Sequence, residues 1–324
     1  MSDFQLALNG LVHEANVEWI WSDTEEETSV RFVHATVMKF EVVNALAPKD
    51  GGVYVDVTLG GGGHTEAILR ASDHSRVIAF DRDPAAIEAA RARLLRYDDR
   101  ITYVPTNFGR IGEELRALGI QHVDGLCADL GVSSPQLDDA SRGMSFRNEG
   151  PIDMRMDPRD GETALELIHR LDDDELADVI YKYGEEGRSR RIARSIKKAA
   201  NDGELETTVD LRRAIVRAVG PARVGGVDPA TRTFQALRIM VNAELEELET
   251  LLAELPQILR PGGNAAILSF HSLEDRLVKR AFHKQDAWRP HTKKPEVATD
   301  DEMAENPRSR SAKLRAAERL SDGE

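Results

Sequence analysis

The stretch DVTLGGGGHTEAIL, residues 56 to 69, sets four glycines in a row between an apolar run and a helical pattern. A glycine loop between a strand and a helix offers backbone amides to an anionic group, and the missing Cβ lets a ligand approach the chain. Three ligand classes compete for it. A phosphate loop of the G-x-x-x-x-G-K-[ST] type needs a lysine, and none follows Gly63. A dinucleotide fingerprint needs G-x-G-x-x-G; Gly60 and Gly62 meet its first two positions, but the third falls on Thr65. S-adenosylmethionine remains. It has no pyrophosphate, its sites use the same strand–loop–helix geometry with looser glycine spacing, and its carboxylate suits amides at the loop and helix start. A tight turn alone accounts for one or two glycines and hardly for four.

Carboxylates follow at the places such a ligand needs. A nucleoside ribose is typically gripped by an acid about twenty residues past the loop, at the end of the second strand. AFDRDP offers Asp81 and Asp83 there. Asp83 precedes Pro84, a residue favoured in the first helical turn, so Asp83 reads as the helix N-cap. Asp81 ends the strand and reads as the ribose ligand. Further on, Asp129 in ADLGVSSPQL stands where ligands of open α/β sheets bind, beyond the carboxyl end of a strand. The Gly, two Ser and Pro after it make a rigid polar loop where a methyl acceptor docks.

Holding these groups together requires a sheet. VYVDVT (53–58), RVIAFD (76–81), ITYVPT (101–106) and VDGLCADL (123–130) are short apolar runs, with helical spacing in HTEAILRA, PAAIEAARARLLRY and RIGEELRAL between them. That alternation predicts a doubly wound α/β fold, a mostly parallel sheet covered on both faces. Upstream, KFEVVNAL reads as a helix ended by Pro48. After Leu137 the rhythm stops. The helix patterns TALELIHRL, DDELADVIYKYG, RSRRIARSIKKAA and TVDLRRAIVRAV follow without a convincing strand, the last started by a Thr207–Asp210 capping box. One long helix is expected through TFQALRIMVNAELEELETLLAEL, stopped by Pro256, then a strand at NAAILSF (264–270). The expected organisation is therefore an acidic extension (1–33), a sheet domain made of 34–137 and 230–324, and an inserted all-helical domain (138–229).

With 324 residues and 41% hydrophobic content, the chain can bury a full core. The single cysteine, Cys127, excludes a disulfide framework and a cysteine-ligated zinc, and the sequence suggests no metal site. An acidic N-terminus and short, charge-broken apolar stretches fit neither a signal peptide nor a membrane span, so a cytoplasmic protein is expected. A formal charge of −14 argues mildly against general nucleic-acid binding. Base is nevertheless gathered in RSRRIARSIKK, LRRAIVRAV and NPRSRSAKLRAAER. Each run alone reads as a solvated helix face, and three together weaken that reading.

The strings LGVSSPQLDDASRGMSFRNEGPIDMRMDP, TRTFQALRIMVNAELEELE, LSFHSLEDRLVKRAF and NPRSRSAKLRAAER closely resemble the bacterial 16S ribosomal-RNA (cytosine-N4)-methyltransferase family, over roughly residues 34 to 319. The resemblance implies a Rossmann-like class I S-adenosylmethionine methyltransferase fold. It also implies methyl transfer to the exocyclic amine of a cytosine in the decoding region of small-subunit rRNA. The implied cofactor contacts are Gly62, Gly63, His64, Asp81, Phe108, Asp129 and Gln136. For an amine whose lone pair is delocalised into the ring, the protein must align nitrogen with the methyl group and accept its N–H bonds. Asp129 and the loop hydroxyls of Ser133 and Ser134 are placed for that. His271, at the end of the fifth strand, is a further candidate, with Ser272 and Asp275 read as a capping box behind it. The base must be splayed out to enter such a crevice, with Arg188, Arg190, Arg191, Arg194, Arg232 and Arg238 holding phosphates. Two other readings stand beside this one: a DNA amino-methyltransferase, whose usual Asp/Asn-Pro-Pro-aromatic motif is replaced here by Asp-Leu-Gly-Val-Ser-Ser-Pro, and a non-catalytic RNA-binding assembly factor with a relict cofactor site. The oligomeric state, a homodimer included, is left open.

Overall fold

The computed structural model describes residues 36–221, 227–284 and 286–321; the acidic extension lies outside them. Strands β1 (Val53–Asp56), β2 (Arg76–Phe80), β3 (Ile101–Val104), β4 (Val123–Asp129) and β5 (Leu259–Ser269) pair in parallel. Beyond them β6 (Trp288–Pro290) and β7 (Lys313–Arg319) close one edge in the order β3-β2-β1-β4-β5-β7-β6, with antiparallel β5–β7 and β7–β6 pairs. The β-α alternation expected from the sequence is present, and the two antiparallel strands were not anticipated. KLRAAER lacks a plain apolar run; its inward arginines, Arg315 and Arg319, are buried because Asp275 and the Pro256 carbonyl accept from them at 2.7 and 2.9 Å.

Both faces of the sheet are covered. Helices α1 (Lys39–Leu46), α2 (Gly63–Ala71) and α3 (Pro84–Leu94) pack Val42, Leu46, Ile68, Leu69 and Leu94 against Tyr54, Val77 and Leu268. On the other face α4 (Ile111–Ala117) contributes Ile111 and Leu115 against Val55, Ile78 and Leu126. The chain order reverses between β1 and β4, so the loops after β1, β2 and β4 open onto a common crevice. A short helix, α5 (Ser134–Asp138), follows β4.

Between that helix and β5 the described residues form helices and contribute no strand to the sheet. They are α6 (Ala164–Arg170), α7 (Asp173–Gly184), α8 (Ser189–Asn201), α9 (Thr208–Val219), α10 (Thr231–Val241) and α11 (Glu244–Ile258). Capping boxes at Thr163, Asp172 and Thr207 start three of them, the last with Asp210 as expected. α6 to α10 share their own buried cluster, including Leu167, Ile180, Ile192, Ile196, Leu211 and Leu237. Helix α12 (Ser272–Phe282) follows β5, and Val278 and Phe282 join Leu251 and Leu255 of α11 beneath the sheet. No helix among the described residues is long and apolar enough to cross a membrane.

The single long helix expected from residue 233 to 255 is two helices, α10 and α11. Ala243 adopts a left-handed φ of 50° between them, and Pro256 lies inside the last turn of α11. The break is held by Asn242, which is buried. Its side chain accepts from the Met156 amide at 2.7 Å and donates to the Met154 and Arg238 carbonyls at 2.7 and 2.8 Å. Its own carbonyl accepts from Arg82, in the loop after β2, at 3.0 Å. The pattern of apolar residues runs through this point unbroken, which is why periodicity alone does not reveal it. Asn242→Ala leaves the buried Met156 amide without an acceptor, and the expected loss of unfolding free energy is about 2–3 kcal/mol. Arg110→Ala, which removes an exposed pair with Glu113, serves as control and is expected to shift stability by under about 1 kcal/mol. Equal urea midpoints for the two variants would remove Asn242 from its role as keystone.

Candidate active site

A cleft of about 800 Å³, its open mouth included, lies at the carboxyl ends of β1, β2 and β4. The glycine loop forms part of it, but not by the route expected. Gly60, with φ 49°, is on the wall; a Cβ there would meet only the Thr58 carbonyl oxygen at 3.8 Å, and its amide donates to Asp81 Oδ2 at 2.8 Å. Gly62 and Gly63 are off the wall. A Cβ on Gly62 would sit 2.8 Å from Leu94 of α3, and one on Gly63 would sit 1.7 Å from Thr36 Oγ1. Packing of the protein against itself is thus one reason for glycine at these two positions, beside the ligand approach expected from the sequence. His64 is likewise buried behind the wall, its Nε2 3.0 Å from the Val37 carbonyl oxygen.

At the end of β2 the two acids divide as expected. Asp83 caps α3, accepting from the Ala85 amide at 3.1 Å. Its Oδ2 also accepts from Gln136 Nε2 and Arg142 Nη1, both at 2.8 Å. Asp81 faces the cleft, its Oδ1 accepting from the Asp83 amide at 2.9 Å. Desolvation pushes the Asp81 carboxyl up to about 6. Gln136 lies on the wall with its side chain spent on scaffolding, since Oε1 accepts from the Ser133 amide at 3.0 Å while Nε2 holds Asp83. Ser133 N-caps α5 and lines the cleft, while Ser134 begins the helix and stands off the wall. Phe108 lines it with Leu130, Leu248 and Met156.

Four carboxylates meet the cleft: Asp81, Asp129, Glu244 and Glu274. Asp81 has a donor on each oxygen. Both Glu244 oxygens accept from the Arg238 fork at 2.7 and 2.9 Å. Glu274 Oε2 accepts from the Phe270 and His271 amides at 2.8 and 3.3 Å, and Oε1 lies 3.2 Å from His271 Nε2. Burial opposes ionisation of Glu274, but His271 and the Phe270 amide outweigh it and hold the carboxyl below its ordinary value. Asp129 differs. Its amide donates to Thr58 Oγ1 at 2.6 Å, yet its Oδ1 is shielded from solvent and has no donor among the described residues. Desolvation raises its pKa, with the charges of His64 and Arg308 pulling the other way.

Two expected site residues have other employment. Arg238 is held by Glu244, with only 15% of its side chain exposed, so it is not presented to a phosphate. His271 is off the cleft wall and N-caps α12, its Nδ1 accepting from the Glu274 amide. The box partner is Glu274 and not Asp275, whose carboxylate is taken by Arg315 and Lys313. Arg188, Arg190, Arg191 and Arg194 are exposed on and beside α8, as is Arg232 on α10. Arg308 was not foreseen. It reaches the cleft from the segment before β7, donates to the Val132 carbonyl and lies 5.6 Å over the Phe270 ring. The motif NPRSRS contains it, but nothing local says that it returns to the loop after β4.

The family model described as the MraW methylase family matches residues 31–320. A protein of Sorangium cellulosum (strain So ce56) called Ribosomal RNA small subunit methyltransferase H is 64% identical over 291 residues, covering 90% of this chain and 92% of that protein. The protein of the same name from Synechococcus elongatus (strain ATCC 33912 / PCC 7942 / FACHB-805) is 48% identical over 300 residues, 92% of this chain and 98% of its own. That of Geobacter sulfurreducens (strain ATCC 51573 / DSM 12127 / PCA) is 49% identical over 312 residues, covering 89% and 99%.

The two acids after β2 should separate in calorimetry and in unfolding. Asp81→Ala is expected to weaken S-adenosylmethionine binding by about 1.5–3 kcal/mol with little change in stability. Asp83→Ala strands a buried Arg142 and is expected to cost about 3–5 kcal/mol of stability. The reverse pattern would overturn the assignment. Because burial raises the Asp81 pKa, the free protein keeps that proton up to about pH 6, and the group's contribution to folding falls as pH rises from 3.8 through about 6. A ribose hydroxyl donates better to the ionised form, so affinity should climb through pH 6 and level off above it. A flat profile between pH 5 and 7 would deny Asp81 the ribose.

Proposed function

Because the chain belongs to the MraW methylase family, we propose that it methylates the exocyclic N4 amine of a cytosine in the decoding region of 16S rRNA within the small ribosomal subunit, with S-adenosylmethionine as donor. The fold is that of a class I S-adenosylmethionine methyltransferase, Rossmann-like in its parallel half. The observation that carries the reading is a solvent-shielded carboxylate oxygen at the cleft with no donor among the described residues, Asp129 Oδ1. A buried acceptor with no donor is rare and calls for a partner from outside the chain. An aromatic amine provides one.

The cleft residues suit the cofactor. Asp81 still has lone pairs for ribose hydroxyls after its two amide bonds. Phe108, Leu248 and Met156 supply an apolar slot for a planar base. The first turn of α2 begins three residues past the wall residue Gly60, at Gly63, and suits a carboxylate. Gly62, Gly63 and His64 then act by shaping that turn from behind. When bound, S-adenosylmethionine supplies an electrophilic methyl group that needs no further activation.

Asp129 and the Gly131–Ser134 loop do the rest. Oδ1 accepts one N–H of the incoming amine, which turns the nitrogen lone pair toward the methyl group. Transfer of the methyl group would break its bond to sulfur, release a neutral thioether and leave the amine nitrogen cationic; the carboxylate would stabilise that charge and be the first acceptor of the departing proton. Desolvation favours that last step by making the Asp129 carboxylate a stronger base than an exposed one. The charges of His64 and Arg308 limit the effect.

The test is methyl incorporation into small subunits that lack the modification, with the position mapped by mass spectrometry. Asp129→Asn keeps the shape and removes the charge. Single-turnover methylation is expected to fall about a hundredfold, with the thermal midpoint near wild type and a smaller change in cofactor affinity. A defect that vanished at saturating cofactor would confine Asp129 to cofactor binding, and full activity would take it out of the site.

A further inference from the structure

Helix α12 leaves the cleft with Glu274 on the wall and carries outward a basic face that none of the roles above uses. Arg276, Lys279 and Arg280 are exposed, with Lys284 just past the helix end. Their spacing of three or four residues puts them on one side, with about 5.4 Å between turns. In a protein of formal charge −14, such a face runs against the overall composition.

An acid of the helical insertion touches the cleft end of this face. Glu185, at the C-cap of α7 with a left-handed φ of 51°, accepts from the Ser272 hydroxyl through one oxygen and from Arg276 Nη2 at 2.6 Å through the other. Its backbone carbonyl accepts from Arg232 Nη1 at 3.3 Å. Hydrogen bonds from Ser272 and Arg276 hold its carboxyl below the ordinary value. Two residues upstream of Ser189, where α8 begins, Gly187 joins this corner to Arg188 and the exposed arginines of α8. A hydroxyl and a guanidinium converging on two anionic oxygens, with a second guanidinium on the adjoining backbone carbonyl, form the donor set that also takes a phosphodiester.

We propose that the α12 face, with Arg232, binds the phosphates of the RNA strand flanking the target nucleotide, and that the Glu185 carboxylate occupies the first phosphate position until RNA displaces it. The inference rests on the rRNA-methylation reading above. A base splayed into the cleft leaves its neighbouring phosphates at the mouth, where α12 starts. From there the helix carries positive charge along the strand, and Glu185 links that surface to the arginines of α8. The surface recognises backbone and not sequence, so base choice stays with the cleft.

The distinguishing feature is a pair of substitutions with opposite signs. Small subunits lacking the modification, and a protein-free rRNA fragment spanning the decoding region, are titrated by filter binding at two salt concentrations; cofactor binding is followed by calorimetry. Lys279→Glu combined with Arg280→Glu is expected to weaken both RNA probes about tenfold or more at low salt and to flatten the salt dependence. Glu185→Gln is expected to tighten both by about threefold to tenfold, since it removes a competing charge. Cofactor affinity and thermal midpoint should match wild type throughout. Unchanged RNA affinity after charge reversal, or weaker binding by Glu185→Gln, overturns the proposal. Loss on subunits but not on the protein-free fragment also overturns it, pointing to a ribosomal protein. A wild-type protein that neither binds nor methylates subunits would defeat the functional reading itself, a separate result.

Discussion

The Asp83 carboxylate binds three parts of the chain that have no covalent reason to meet. It caps α3, holds Gln136 of the loop after β4, and pairs with Arg142, whose other nitrogen donates to the Met156 carbonyl at 2.7 Å. With only 3% of the acid's side chain and 13% of the arginine's exposed, neither charge could be left alone without a large penalty. The arrangement therefore exists whole or not at all. Through it the ends of β2 and β4 and the start of the helical insertion are registered on one another. Asn242 makes a second tie, between the loop after β2 and the segment at Met154 and Met156, from the break between α10 and α11.

That rigidity explains how Asp129 can keep an empty oxygen. A protein normally supplies donors to every buried acceptor, and a flexible loop would rearrange to do so here. The loop after β4 cannot. Gln136 and Ser133 lock its capping box, Arg308 pins the Val132 carbonyl, and Thr58 takes the Asp129 amide. The neighbouring acids meanwhile consume the donors within reach, Arg238 on Glu244 and the Phe270 and His271 amides on Glu274. An unsatisfied group maintained by its surroundings is a violation of local consistency of the kind that marks functional sites.

Charge is sorted by tertiary contact and not by composition. Of the three basic runs in the sequence, the last is largely internal, with Arg315 and Arg319 buried in β7 and Arg308 on the cleft wall. The middle run is paired: Arg212 with Asp228, Arg213 with Asp210 and Arg217 with Glu204. The first leaves Arg190, Arg191 and Arg194 on the outside of α8, while Ile192 and Ile196 face inward. The acidic total thus conceals a basic surface on α8.

Much of the frame was legible in the chain itself. Apolar runs alternating with helical spacing specified the parallel sheet, the glycine loop marked a strand that ends at the cleft, and Pro84 distinguished the capping Asp83 from Asp81. The capping box at Thr207 was equally plain. Each of these depends on residues within a turn or two of one another, so a linear reading suffices. Other features were decided only by folding: the break at Asn242, the packing role of Gly62 and Gly63, the burial of β7, the pairing of Arg238 with Glu244, and Arg308 beside the loop after β4. Above all, the four cleft acids look alike as letters. Which of them retains an unfilled oxygen is settled by donors arriving from other elements, and a hydrogen bond between residues far apart in sequence leaves no period or spacing in the chain for a reader to find.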